Sequence, residues 1–138
     1  MISSSTDQRH LYSDLTWLWP IVSPPEDYIG EAAQFLSSIR EHAPASRSVL
    51  NLGCGGGHLD QTLKKHFAVT GIDISEPMLA LAKQLNPDVH YITGDMRTAR
   101  LDQTFDAVMV ISPPLKYINA VDPFDIPCGP NCAYALKF

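Results

Sequence analysis

A glycine-rich segment at residues 51–59 limits the folds open to this chain more than any other feature of the sequence. It reads Asn-Leu-Gly-Cys-Gly-Gly-Gly-His-Leu, follows a short apolar run typical of a strand, and precedes a run with helical spacing. Glycine at positions 53, 55 and 57 permits a tight turn with positive φ and lets a ligand approach the backbone. A strand, a glycine turn and a helix in this order predict a ligand-binding loop in an α/β protein.

The rest of the chain alternates between strand-like and helix-like segments. The patterns predict strands at 48–52, 69–72, 89–93 and 105–111, and helices at 23–42, 58–66 and 75–85. Ser23 and Ser75 are the predicted N-caps of the first and last of these helices. Such alternation forms right-handed βαβ units with a parallel sheet covered on both faces, so the predicted fold class is α/β.

Composition fits one folded domain. The chain has 138 residues, of which 45% are hydrophobic, and a formal net charge of −5. Mild acidity without a Lys/Arg cluster argues against a dedicated nucleic-acid surface. The longest strictly apolar run, residues 107–111, is far shorter than the ~20 residues of a membrane-spanning helix. The N-terminus shows no secretion signal and the three cysteines form no disulfide pattern, so we expect a cytoplasmic protein without membrane contact.

Residues 112–138 break the alternating pattern and hold five of the 11 prolines. Because proline removes a backbone donor and fixes φ, this segment is predicted to be an irregular tail that cannot supply a central strand. A short helical turn is expected near 115–119. Cys128 and Cys132 are predicted to be free thiols, since a structural zinc site needs four ligands. No metal site is predicted.

Two acidic residues follow predicted strands at the edge where the glycine turn lies. Asp73 ends the second strand, about 20 residues after the glycine turn, which is the spacing of carboxylates that bind ribose hydroxyls. Asp95 follows the third strand and could accept a hydrogen bond from the amino group of adenine. In open α/β sheets ligands bind beyond the carboxyl ends of the strands. The sequence therefore predicts a nucleoside site at this edge.

Dinucleotide cofactors are a weaker interpretation of the same turn. Their fingerprint is Gly-x-Gly-x-x-Gly, whereas the third glycine here, Gly57, comes one residue early and is followed by His58. A phosphate loop of the Gly-Lys-Ser/Thr type is excluded because no such residues follow. His58, at the start of the following helix, could act as a general base, but an exposed histidine without a catalytic role is the favoured interpretation.

Four segments in order resemble the class I S-adenosylmethionine-dependent methyltransferases of the small-molecule type: residues 49–59, 69–82, 92–96 and 105–110. The resemblance implies a Rossmann-like parallel sheet in the order 3-2-1-4 that lacks the family's C-terminal strands. It also implies S-adenosylmethionine as cofactor and direct in-line methyl transfer to a small molecule. The implied organisation is a lid-like segment at 1–22, a cofactor-binding core at 23–111 and the proline-rich tail at 112–138.

The resemblance implies a role for each matching residue, and names no catalytic residue because the cofactor sulfur is already activated. The implied contacts are Asn51, Gly53, Cys54, Gly55 and Gly57 on the methionine part, Asp73 on the ribose, Ile74 and Met78 on the adenosine, Gly94, Asp95 and Met96 around the adenine, and Val110 and Ile111 at the sulfonium.

Two departures from the family pattern carry predictions. The family usually has Asp or Glu where this chain has Asn51, so cofactor binding is expected to be weaker by about 1–2 kcal/mol and to improve in Asn51→Asp. Only 27 residues follow Ile111. We therefore expect the sheet to stop at the fourth strand, whose exposed edge could form a homodimer.

Further interpretations remain open. The chain could be a cofactor-binding module that is catalytically incomplete, or a truncated relative. Ser112, Pro113 and Pro114 resemble the loop of amino-group methyltransferases, although Leu115 stands where those enzymes have an aromatic ring. Residues 12–19, which include Tyr12, Trp17 and Trp19, resemble the family's lid over the cofactor.

Overall fold

The computed structural model describes residues 16–18, 21, 24–95, 101–111 and 128–137. These residues form a five-stranded sheet in the order β3-β2-β1-β4-β5, in which every neighbouring pair is parallel. The strands are β1 Ser48–Leu52, β2 Ala68–Asp73, β3 His90–Thr93, β4 Phe105–Ile111 and β5 Cys128–Lys137. The α-helices are α1 Ile29–His42, α2 Asp60–Leu63 and α3 Glu76–Leu85, and 3₁₀ helices lie at Thr16–Leu18 and Pro25–Tyr28.

The predicted α/β class and the strand order 3-2-1-4 are confirmed. The predicted bounds of β4 match, and α3 begins as expected: the Oγ of Ser75 accepts a hydrogen bond from the backbone N–H of Met78 at 3.3 Å. The 58–66 helix is shorter than predicted, because only α2 is helical and turns flank it. Ser23, the other predicted cap, lies outside the described residues.

The fifth strand contradicts the prediction that the sheet stops at β4. Ala107 to Ile111 lie opposite Ala133 to Lys137, and the register shifts between Phe105, opposite Cys128, and Ala107. Pro130 falls within this shift, and prolines are tolerated in bulges and edge strands. Proline thus excludes a central strand but permits β5 at the edge of the described sheet. The irregular-tail prediction is wrong for 128–137.

The same strand removes the stated basis for a homodimer, since β5 covers the edge of β4 that was expected to be exposed. The dimer stays a prediction without that support. The predicted helical turn at 115–119 and the Ser112–Pro114 loop lie outside the described residues. None of the helices in the described ranges is long and apolar enough to cross a membrane.

Apolar residues pack on both faces of the sheet. The face that carries α1, α2 and α3 buries a cluster that includes Phe35, Ile39, Val49, Leu63, Val69, Leu79, Ala82 and Met109. On α1 Phe35 is buried, whereas Ile29 and Ala33 are exposed. The opposite face buries Leu50, Leu52, Ile72, Phe105, Val108 and Val110.

Candidate functional site

The glycine loop lies at the carboxyl ends of β1 and β2. The backbone N–H groups of Gly53 and Cys54 donate to the carbonyl oxygen of Ile72, at 2.7 and 3.0 Å. Gly55 and Gly57 have φ angles of 57° and 77°, which side-chain-bearing residues rarely adopt. The sequence-predicted loop therefore occupies the edge where open α/β sheets bind their ligands.

The carboxylate of Asp73, at the end of β2, joins the glycine loop to the start of α3. Its Oδ2 accepts the backbone N–H of Gly55 at 2.9 Å, and its Oδ1 accepts that of Ser75 at 2.8 Å. A carboxylate has about four lone-pair sites, so acceptor capacity remains for further donors. The N–H of Gly94 donates to the backbone oxygen of Asp73 at 3.0 Å, which brings the segment with half-buried Asp95 to the same edge.

Side chains near the loop differ in exposure. Ile74 is 66% exposed, so its apolar surface is accessible beside Asp73. Met78 is buried, and its Cε lies 3.3 Å from the position that a Cβ on Gly55 would occupy, so Met78 supports the loop from below. The thiol of Cys54 faces the protein interior against Gly71, and burial raises its pKa. At position 54 the loop thus offers backbone rather than side chain to a ligand.

The remaining predicted contacts are only partly described. Val110 is buried and lies opposite Leu52 in the parallel pair. Met96 and the side chain of Ile111 lie outside the described part of the chain. The 3₁₀ helix Thr16–Leu18 packs against α3 with Trp17 63% exposed, and the lid stays a prediction because its other residues are not described.

A buried polar network that the sequence did not predict lies beneath the loop. Asp60 accepts the Nδ2 of Asn51 on Oδ1 at 2.8 Å and the hydroxyl of Tyr91 on Oδ2 at 2.9 Å. The Nδ2 of Asn86 donates to the Tyr91 hydroxyl at 3.0 Å and to the carbonyl oxygen of Gly57 at 2.8 Å. These bonds tie the end of the loop to β1, to β3 and to the residue after α3. We call these four side chains the polar floor.

The register of the sheet explains how Tyr91 reaches Asp60. Asn51, Gly71 and Tyr91 are neighbours across β1, β2 and β3. A Cβ on Gly71 would lie 2.6 Å from Cε1 of Tyr91, so the tyrosine ring occupies the space that a side chain on β2 would fill. Since neighbouring strands are about 4.8 Å apart, crossing β2 carries the hydroxyl toward β1 and Asp60.

Burial controls the electrostatics of the polar floor. It raises the pKa of Asp60, and the hydrogen bonds from Asn51 and Tyr91 oppose that rise only in part. Burial and the nearby Asp60 likewise raise the pKa of Tyr91. In the described part of the chain Asp60 forms no ion pair, and the Oδ1 atoms of Asn51 and Asn86 are buried without a hydrogen-bond partner.

His58 is buried rather than exposed, which corrects the sequence prediction. It is 6% exposed, and its ring centroid lies 4.9 Å from that of Tyr28. Burial lowers the pKa of His58, although Glu26 acts in the opposite direction. The turn after Gly57 packs His58 beneath the 3₁₀ helix Pro25–Tyr28 instead of presenting it to water.

The sequence carried a weak signal for the polar floor. Tyr91 lies two residues after the buried Val89, so period-two alternation could have placed both side chains on one face. A buried tyrosine hydroxyl usually has a hydrogen-bond partner. Nothing in the linear sequence, however, identifies Asp60, 31 residues away, as that partner.

A family described as a methyltransferase domain matches residues 49–125. The chain is 39% identical over 84 residues to a dTDP-3-amino-3,6-dideoxy-alpha-D-glucopyranose N,N-dimethyltransferase of Streptomyces fradiae, covering 60% of this chain and 33% of that protein. It is 33% identical over 98 residues to a dTDP-3-amino-3,4,6-trideoxy-alpha-D-glucopyranose N,N-dimethyltransferase of Streptomyces venezuelae, covering 70% of this chain and 41% of that protein. The chain thus spans well under half the length of these relatives.

Solved structures share the fold. DesVI of Streptomyces venezuelae superposes with a TM-score of 0.73 at 26% identity, covering 99% of this chain and 58% of DesVI. CalS10 of Micromonospora echinaspora, an amino pentose methyltransferase solved with bound S-adenosylmethionine, superposes with a TM-score of 0.58 at 40% identity. That match covers 59% of this chain and 35% of CalS10.

Proposed function

This chain belongs to the methyltransferase domain family, and we propose that it transfers a methyl group from S-adenosylmethionine to the amino group of a small molecule. The family match covers residues 49–125, more than half of the chain. Two relatives are named as N,N-dimethyltransferases of dTDP-linked amino sugars. A nucleotide-linked amino sugar is therefore the acceptor class that we propose.

The observation that carries the proposal is the position of Asp73 between the glycine loop and α3. Its oxygens each hold one backbone N–H, at 2.9 and 2.8 Å, and keep acceptor capacity for the two hydroxyls of a ribose. Exposed Ile74 follows directly and can pack against the base. Half-buried Asp95 lies at the same edge, where its carboxylate could accept a hydrogen bond from the amino group of adenine. These residues fit a nucleoside.

The amino-acid part of the cofactor also fits the residues present. Asn51 lies two residues before Gly53, and among the described residues its buried amide oxygen has no hydrogen-bond partner, so it could accept a hydrogen bond from an ammonium group. Gly53 and Gly55 let the amino-acid part approach the backbone of the loop without a Cβ in the way, while their own N–H groups donate to Ile72 and Asp73. These are the contacts that we propose for the methionine part.

When bound, S-adenosylmethionine supplies a methyl group on a positively charged sulfur, which an amine takes by in-line displacement with release of a neutral thioether. The chain's own contribution in this proposal is orientation. Asp73 fixes the sugar and the glycine loop fixes the methionine part, so the methyl group keeps one direction toward the acceptor. We assign no side chain of this chain to a proton transfer.

The cofactor site is tested by Asp73→Ala. We expect it to lower the affinity for S-adenosylhomocysteine about tenfold or more, because ribose acceptors and the bond to Gly55 are lost together. Isothermal titration calorimetry on the full chain measures this. Asp106→Ala is the matched control: that carboxylate also accepts two backbone N–H groups, from Arg47 and Ser48, but at the opposite end of the sheet.

The affinity of Asp106→Ala should equal that of the wild type. An unchanged affinity in Asp73→Ala would show that the sugar lies elsewhere. The acceptor class is tested by following S-adenosylhomocysteine release with dTDP-linked amino sugars against sugars that lack the amine. Cofactor binding without turnover of any amine would contradict the proposed acceptor, and a folded wild type that binds no S-adenosylhomocysteine would contradict the proposal as a whole.

A further inference from the structure

Asp60 is a carboxylate withdrawn completely from water. In the described part of the chain it forms no ion pair, and its hydrogen bonds come from neutral groups, Asn51 and Tyr91. A buried charge is costly, and apolar residues of similar volume often stabilise a core at least as well. Packing alone therefore does not explain a carboxylate at this position.

Asp60 fixes the orientation of the Asn51 side chain. Because the Nδ2 of Asn51 donates to Asp60 at 2.8 Å, the Oδ1 at the other end of the planar amide group points away from Asp60. Among the described residues this oxygen is buried and has no hydrogen-bond partner. An unsatisfied buried acceptor is unfavourable, so this oxygen favours a ligand with a donor group. Asn51 is the second-last residue of β1, at the base of the glycine loop.

A cationic donor suits the Oδ1 of Asn51 best, because the Asp60 carboxylate lies behind the amide. When Asp60 is ionised, its negative charge behind the amide strengthens the pull of Oδ1 on a positive donor, and charge-assisted hydrogen bonds are roughly twice as strong as neutral ones. In the proposed cofactor the group with both properties is the α-ammonium of the amino-acid part. We propose that Asp60 is a positioning residue that acts through Asn51 to hold this ammonium group, an inference that rests on the proposed function.

The hydrogen bond between Asn51 and Asp60 leads to specific expectations for substitutions at both positions. Asn51→Asp alone would put two buried carboxylates where a 2.8 Å hydrogen bond now lies, so the pair would have to retain a proton. The improvement expected for this variant from sequence is therefore not expected in this structure. The exchange variant Asn51→Asp/Asp60→Asn keeps every bond: the new amide at 60 donates to the new carboxylate at 51 and still accepts from Tyr91.

The test compares two ligands on three proteins by titration calorimetry. The ligands are S-adenosylhomocysteine and its analogue that lacks only the amino group, and the proteins are the wild type, Asp60→Asn and the exchange variant. In Asp60→Asn we expect affinity for S-adenosylhomocysteine to fall roughly tenfold, while that for the analogue changes less than about twofold. In the exchange variant the preference for the amine should equal or exceed that of the wild type.

A purely structural role of Asp60 gives different results. If the substitution only loosened the loop, both ligands would lose affinity equally, which would overturn the inference. Unchanged affinities for both ligands would overturn it as well. If Asp60→Asn does not fold, the exchange variant decides, since loss of its amine preference would contradict the role. A wild type that binds neither ligand would instead refute the proposed function itself.

Discussion

The side chains of β1 lie in different surroundings on the two faces of the sheet, apolar on one face and partly polar on the other. On one face Leu50 and Leu52 belong to an apolar cluster with Ile72, Phe105, Val108 and Val110. On the other face Val49 is also in an apolar cluster, but Asn51, one step closer to the glycine loop, joins Asp60 and the rest of the polar floor. The chemistry of a β1 residue therefore depends on its face and on its distance from the loop.

The two faces therefore contribute differently: the apolar cluster mainly stabilises the fold, whereas the polar floor mainly fixes the positions of its side chains. An apolar cluster needs matching volume and contributes stability in proportion to the area that it buries. A polar network contributes less net stability, but its hydrogen bonds fix directions and must all be satisfied. We therefore expect substitutions on the apolar face to change stability alone, and substitutions in the polar floor to change ligand affinity as well.

The largest effect on stability is expected for Leu50→Ala on the apolar face. Leu50 is fully buried, and a Leu→Ala cavity typically lowers the free energy of unfolding by about 2–5 kcal/mol. Urea unfolding measures this loss. The affinity of the folded protein for S-adenosylhomocysteine should stay within about twofold of the wild type. An affinity that falls along with stability would abolish the distinction between the faces.

Gly71→Ala should affect both properties. The new methyl group would lie 2.6 Å from Cε1 of Tyr91 and 2.8 Å from Sγ of Cys54, so these side chains must shift, and we expect the shift to disturb the hydrogen bond from Tyr91 to Asp60. Overpacking of this kind costs about 1–3 kcal/mol, and we expect weaker binding of S-adenosylhomocysteine in the same variant. Gly30→Ala is the control, because a Cβ on Gly30 would meet no atom within 4 Å.

The Gly30 variant should keep full affinity and equal or higher stability. Denaturant unfolding and calorimetry on the two alanine variants together measure the contrast. If Gly71→Ala binds the ligand as tightly as Gly30→Ala, the contact between Tyr91 and Asp60 has no part in the site.

A smaller effect concerns pH. Because the pKa of Asp60 is raised in the folded chain, the unfolded chain releases a proton that the folded chain retains at pH values between the two pKa values. The contribution of Asp60 to the free energy of unfolding therefore falls as pH rises through this window, by at most about 1.4 kcal/mol per pH unit. Asp60→Asn should lack this slope.

The difference between wild type and Asp60→Asn across pH isolates this contribution. Asp88, whose pKa its hydrogen bond from Lys64 lowers, and Asp106, whose pKa the backbone N–H of Arg47 lowers, are common to both proteins and cancel. Parallel stability curves for the two proteins would show that Asp60 titrates alike in the folded and unfolded chains.

Features that depend on local patterns could be predicted from the sequence. The apolar run of β4, the Ser75 cap and the glycines of the loop each depend on neighbours in the chain. The position of Asp73 could also be predicted, because it is the last residue of β2. Local patterning therefore located the edge of the sheet on which the proposed site lies.

Features that depend on pairing between distant segments could not be predicted from the sequence. β5 forms by pairing with β4, and strand propensity is strongly modified by such context. The contact between Tyr91 and Asp60 depends on the register that puts Gly71 between β1 and β3. The strand register and the absence of a side chain on Gly71 bring Tyr91 to Asp60 only when the three strands are paired, so the sequence alone does not predict this contact.

A crystal structure of the full chain with S-adenosylhomocysteine tests the central claim most directly. We expect the ribose hydroxyls within hydrogen-bond distance of the Asp73 carboxylate and the amino-acid part against the loop at Gly53 and Gly55. A nucleoside bound away from Asp73, or an empty loop edge at saturating ligand concentration, would contradict the account.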